Sequence, residues 1–136
     1  MIPTQEAAFG EPAPRPFGQV ETRILMTLDA VGGVWRYAMD LASSLADGGF
    51  EFVFVGLGPR PSPRQAAEAE RLGTLHWLDA PLDWTTDDEN DLDALAPRLE
   101  SLVESEEIDL VHLNAPSQAV GLDLPVPVLA VSHSCV

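Results

Sequence analysis

The stretch Arg23-Ile24-Leu25-Met26-Thr27-Leu28-Asp29-Ala30-Val31-Gly32-Gly33-Val34-Trp35-Arg36-Tyr37-Ala38 decides the fold. Arg23 to Leu28 is a short, continuous apolar run, the pattern of a strand covered on both faces. It stops at Asp29-Ala30-Val31-Gly32-Gly33. Val34, Tyr37, Ala38, Leu41, Ala42 and Leu45 then recur at the spacing of one helix face, and Gly48-Gly49 supplies the stop. A strand, a glycine turn and a helix follow one another in that order.

Working outward, Phe50 to Leu57 is a second apolar run ending in Gly58-Pro59, and it reads as a second buried strand. A proline-bearing loop leads to a short helix over Arg64 to Leu72 and a third strand over Thr74 to Leu78. An acidic connection, Asp79 to Asp91, carries Thr86 and Glu89 at the spacing of a capping box. Leu92, Leu95, Ala96, Leu99, Leu102 and Val103 repeat as a helix face in which Pro97 predicts a kink or a late start, since an interior proline removes a hydrogen bond and clashes with the preceding turn. Asp109 to Leu113 and Val126 to Val131 supply a fourth and a fifth strand. Strands alternating with helices at this rhythm predict a doubly wound α/β fold with a parallel sheet of about five strands. Residues 1–22 hold four of the 12 prolines and little apolar periodicity, so they read as a flexible tail ahead of a single domain over 23–136.

Composition narrows the function. At 46% hydrophobic and 21% charged residues the chain can bury a core. Its 22 acidic residues face 7 basic ones, all arginine, for a net charge of -15, so no basic stripe exists for nucleic acid, and an anionic membrane face would repel it. One cysteine, Cys135, excludes an internal disulfide and fits a reducing compartment. The first residues show neither the basic nor the apolar region of a signal peptide, and no apolar run reaches the roughly 18–20 residues of a membrane span. A cytoplasmic protein without a transmembrane segment is expected.

In open α/β sheets ligands bind outside the carboxyl ends of the strands. Those ends are Asp29 to Gly33, Gly56 to Pro59, Asp79 to Asp83, Asn114 to Gln118 and Ser132 to Ser134. Gly32 and Gly33 allow close backbone approach to a ligand, and the free amides of a first helical turn attract anions; the same pair equally serves a plain tight turn. The stretch does not align to G-x-G-x-x-G, and the absence of lysine excludes a P-loop and a phosphorylation receiver. His133, between two serines after the last strand, is suited to bind a sugar hydroxyl or act as a base, whereas His112 and His76, inside strands, read as satisfied core residues. Arg36, one turn beyond the glycines, is within reach of a phosphate or else faces solvent. No histidine pair has metal-ligand spacing, and Asp91 and Asp93 would point to different sides of a helix, so no metal is expected. Neither His133 with Cys135 nor any G-x-S-x-G elbow supplies a nucleophile. Trp77, Leu82 and Trp84 read as core or lid residues before a contact surface.

The strings Arg23 to Ala42, Ile108 to Asn114 and Pro127 to Ser134 together resemble the amino-terminal domain of family-four retaining glycosyltransferases, which have two facing Rossmann-like domains in the GT-B arrangement. The resemblance implies that Gly32 and Gly33 approach the diphosphate of a nucleotide-sugar donor and help seat a sugar or lipid acceptor; Asn114 at its strand end and Arg36 in the first turn after the glycines join them as candidates by position alone. It implies that His133 contacts the transferred sugar, in a front-face reaction assisted by the leaving diphosphate, without protein nucleophile or cofactor. That family carries its donor site mostly in a carboxyl-terminal domain with two glutamates separated by seven residues, and no glutamate pair here has that spacing. The expectation is an incomplete, acceptor-side domain, inactive without the missing donor-binding domain. A non-catalytic interaction module and another Rossmann-like enzyme, such as a sugar-nucleotide epimerase, are the alternatives.

Overall fold

The computed structural model describes residues 21–78 and 95–133. The tail over residues 1–20, the acidic connection with Leu82, Trp84, Thr86, Glu89, Asp91 and Asp93, and Ser134 and Cys135 lie outside them. The described elements are β1 (Thr22–Asp29), α1 (Gly33–Leu45), β2 (Phe50–Leu57), α2 (Pro63–Leu72), β3 (Gly73–Trp77), α3 (Leu95–Ser105), β4 (Leu110–Leu113), a 3-10 turn (Pro116–Ala119) and β5 (Val128–Ala130). All five strands are parallel, in the order β3-β2-β1-β4-β5. This is the doubly wound Rossmann-like sheet that the alternating pattern predicts. The chain reverses its direction of growth between β1 and β4, the place where such sheets open a crevice.

The continuous apolar character of β1 and β2 follows from their position, because both faces are covered. Ile24, Met26 and Leu28 of β1 join Phe52 and Phe54 against Trp35, Ala38, Met39 and Ala42 of α1 and Ala69 of α2. Leu25, Val53, Val55 and Leu57 join Val111 and Leu113 against Leu95, Leu99 and Val103 of α3. Each fully buried Leu, Phe or Met in these layers contributes about 1.5–3 kcal/mol.

Two local features differ from the sequence pattern. The buried face of α1 is Trp35, Ala38, Met39 and Ala42, displaced from the predicted stripe so that Tyr37 stays half-exposed. Pro97 is the third described residue of α3, and Leu92, which opens the predicted helix face, lies outside the described residues, as does any test of a kink against a late start. Strand β5 is shorter than the apolar run, and Val128, Leu129 and Ala130 are all exposed at the sheet edge. Its register to β4 is still set by Val111 N–H donating to the Pro127 carbonyl (3.0 Å) and Val131 N–H donating to the Leu113 carbonyl (2.8 Å).

Helix α2 begins with a capping box unremarked in the sequence pattern. Ser62 Oγ accepts from the Gln65 amide (3.1 Å), and Gln65 Oε1 accepts from the Ser62 amide (2.9 Å). The other end of the same side chain, Gln65 Nε2, donates to the Ala30 carbonyl at 3.2 Å, tying α2 to the loop after β1. Beneath that loop Gly56 accepts the Trp77 ring so closely that a Cβ at Gly56 would stand 2.0 Å from it, while Trp77 Nε1 donates to the Gly58 carbonyl at 2.9 Å. Trp77 is thus a packing residue rather than a surface one.

Candidate functional site

At the carboxyl end of β1, Asp29 Oδ1 accepts from the Val31 amide at 2.8 Å and starts the turn. Gly32 then takes φ 119 and ψ -161, a conformation open essentially to glycine alone, and caps α1 without any side-chain hydrogen bond. No acidic residue stands in the first turn of α1. A Cβ built on Gly32 or on Gly33 would meet nothing within 4 Å, so the turn presents bare backbone to an open surface.

The second half of the site comes from the ends of β4 and β5. Asn114 is buried and held on several sides: its amide donates to Thr27 Oγ1 (3.0 Å), its Nδ2 donates to the Thr27 carbonyl (2.6 Å), and Thr27 Oγ1 in turn donates to Gln118 Oε1 (2.6 Å). The Asn114 Oδ1 oxygen meets two imidazoles, His133 Nε2 at 2.8 Å and His112 Nε2 at 3.2 Å. Tyr37, one turn into α1, closes the group. Its ring meets that of His133 edge-on with centroids 4.6 Å apart, and its hydroxyl lies 3.4 Å from His112 Nε2. The structure therefore gathers Gly32, Gly33, Asn114 and His133 at one end of the sheet, with Tyr37 bridging from the helix that the glycines open.

Burial pushes the His112 pKa below its usual value; the bond to Asn114 opposes that shift and the neighbouring His133 adds to it. Arg36 points away from this group toward α2. It pairs with Glu68 (2.5 Å) and Asp40 (3.1 Å), and the Glu68 contact raises its pKa while lowering that of Glu68. His76 sits on β3, bonded to Glu106 at 3.2 Å, in a separate network where Arg23 binds Glu51 and Glu106. Among the described residues no group of three His, Cys, Asp or Glu side chains is placed to hold a metal. No helix of the described residues is long and apolar enough to cross a membrane.

Sequence reading missed Tyr37 and Thr27 as site residues and placed His112 in the core. His112 is indeed buried and satisfied, but its partner is the Asn114 side chain of the site itself. One signal was available: residues two apart on a strand share a face, so His112 and Asn114 had to lie together. Nothing in the spacing marks Thr27, whose hydroxyl is fully buried within an apolar run.

The fold has parallels of known structure. A glycosyltransferase from Rickettsia africae aligns with a TM-score of 0.59 at 19% identity, over 81% of this chain and 29% of that one. The C-terminal domain of a hydrogenase from Pyrococcus furiosus aligns with a TM-score of 0.57 at 20% identity, over 88% of this chain and 99% of that domain. At these identities the likeness is one of fold, and the chain spans under a third of the length of the glycosyltransferase. No curated protein matches the sequence. The sequence profile of Glycosyltransferase Family 4, however, matches residues 31–136, from the glycine turn through the strand that delivers His133 and on to the last residue, and the chain belongs to that family.

Proposed function

We propose that this chain is the acceptor-side domain of a retaining glycosyltransferase in the GT-B arrangement, moving a sugar from a nucleotide-sugar donor to a sugar or lipid acceptor. The observation that carries this reading is the meeting of the glycine turn, through Tyr37, with Asn114 and His133 at one end of the sheet of a family-four chain. Gly32 and Gly33 offer first-turn amides to the donor diphosphate, and the absence of a Cβ lets the ligand come close. His133 contacts the transferred sugar. In front-face chemistry the acceptor hydroxyl attacks the carbon from which the diphosphate departs, on the same face, and the departing diphosphate oxygen takes the hydroxyl proton.

Arg36 is a weaker candidate for the diphosphate, because its guanidinium is already engaged by two carboxylates. A chain with net charge -15 and no lysine supplies little attraction for a dianion, so the reading includes a second, donor-binding domain without which the chain is inactive. A reducing, cytoplasmic setting accompanies it, supported by the single cysteine.

Calorimetric titration of the 136-residue chain with nucleoside diphosphates and their sugar conjugates tests the proposal. Affinity weaker than micromolar and no turnover are expected, while backbone amide resonances of Gly32 and Gly33 shift together with His133 when nucleotide-sugar is added in millimolar excess. Micromolar binding or turnover by the chain alone overturns the need for a donor domain. Shifts confined to the amino end of the sheet overturn the site.

A further inference from the structure

We infer that Asn114 is a positioning residue rather than a ligand contact: its carbonyl oxygen is spent on two imidazoles at once, fixing the tautomer of His133 and linking it to His112. An amide oxygen has two lone pairs. Asn114 Oδ1 has both His133 Nε2 (2.8 Å) and His112 Nε2 (3.2 Å) within hydrogen-bond distance. Its Nδ2 is bonded to the Thr27 carbonyl at 2.6 Å, which fixes which end of the amide faces the rings. Asn114 is 6% exposed, so little of it is open to a substrate.

An oxygen acceptor imposes protons on both of its donors. His133 therefore carries its hydrogen on Nε2, and in the neutral ring Nδ1 is left as the acceptor. A ring so arranged receives a hydrogen bond from a hydroxyl and has no donor to offer an anionic oxygen. His112 likewise directs its single Nε2 proton at Asn114 Oδ1, so the Tyr37 hydroxyl, 3.4 Å away, finds no lone pair there to donate to. The edge-on Tyr37 ring at 4.6 Å limits rotation of His133 about its remaining torsion. The arrangement gives His112 a task at the site although it lies within strand β4: it occupies the second lone pair, so Asn114 Oδ1 is not left to a competing water.

The meaning for catalysis rests on the assignment of His133 to the transferred sugar, but the test reads the rings without substrate, so either can fail alone. In the 136-residue chain labelled with 15N-histidine, ring nitrogen shifts report tautomer and pKa for each residue. His112 and His133 are expected as Nε2–H tautomers above their pKa values. Asn114→Asp, which keeps the acceptor and adds a charge, raises both pKa values by about one unit or more. Asn114→Leu, which keeps the volume and removes the acceptor, shifts His133 toward a tautomer mixture. A rise at only one histidine or at neither in Asn114→Asp overturns the sharing, and so does an Nδ1–H tautomer of His133 in the unsubstituted chain, a measurement that needs no variant to fold.

Discussion

Thr27→Val is the sharpest test of how the site is held. The side chain is completely buried, and its hydroxyl accepts from the Asn114 amide at 3.0 Å and donates to Gln118 Oε1 at 2.6 Å. Valine preserves the shape and removes both bonds. The Asn114 N–H then lies buried without an acceptor, costing about 1–3 kcal/mol, while Gln118 Oε1, also buried, loses one hydrogen bond worth about 0.5–1.5 kcal/mol. The added methyl returns about 0.8 kcal/mol. The expected net loss is about 2 kcal/mol. With a urea dependence of about 1–3 kcal/mol per molar, the unfolding midpoint of the chain falls by about 1 M, readable by far-UV circular dichroism. Thr27→Ser is the control: it keeps the hydroxyl, sacrifices one methyl, and costs about 1 kcal/mol. If the valine variant proves as stable as the serine variant or more so, the hydroxyl is not what secures Asn114, and the account of the site is wrong.

Further expectations follow from particular positions. Gly32→Ala forces a side chain onto φ 119 and costs about 1–3 kcal/mol by urea titration, whereas Gly33→Ala, with open space around its Cβ, leaves the midpoint nearly unchanged; equal losses would refute the backbone argument. Gly56→Ala places a Cβ 2.0 Å from the Trp77 ring and costs about 2 kcal/mol or more, and adding Trp77→Leu recovers part of that loss. His112 has a folded pKa below its ordinary value of 6.5, so the unfolded chain binds the proton more readily; the stability it contributes is complete above the unfolded pKa and falls away as pH drops through that value toward the folded one. The difference in stability between the unsubstituted chain and His112→Gln therefore shrinks from about pH 8 to about pH 5, and a constant difference would show that His112 is not buried neutral.

Much of the fold was legible because buried parallel strands leave a strong mark. After Glu51 the run Phe52 to Leu57 carries no polar side chain, since α1 and α2 cover one face and α3 the other, and the predicted bounds Phe50 and Leu57 match the structure. The α1 stripe was read one step off because Trp35 and Met39 are as apolar as their neighbours, and only tertiary packing chooses among them. Gly32, Gly33, Asn114 and His133 were singled out for their places at strand ends, and the structure puts them at that end of the sheet. The network that unites them was not, since Thr27 and Tyr37 are ordinary letters in apolar runs, and their hydrogen bonds span 91 and 75 residues of sequence.

The dual grip of Gln65 has a consequence for how the glycine turn keeps its shape. One amide group closes the first turn of α2 and, at its other end, clasps the Ala30 carbonyl, so forming that helical turn and ordering the loop before Gly32 share a free energy. Linkage is reciprocal: whatever steadies the loop also winds the helix start, and whatever frays the helix start loosens the loop. Ser62, one hydrogen bond removed from the loop through Gln65, thereby becomes a remote handle on the glycine turn, and a double-mutant cycle between Ser62→Ala and Gln65→Ala measures how far the two residues act as one unit.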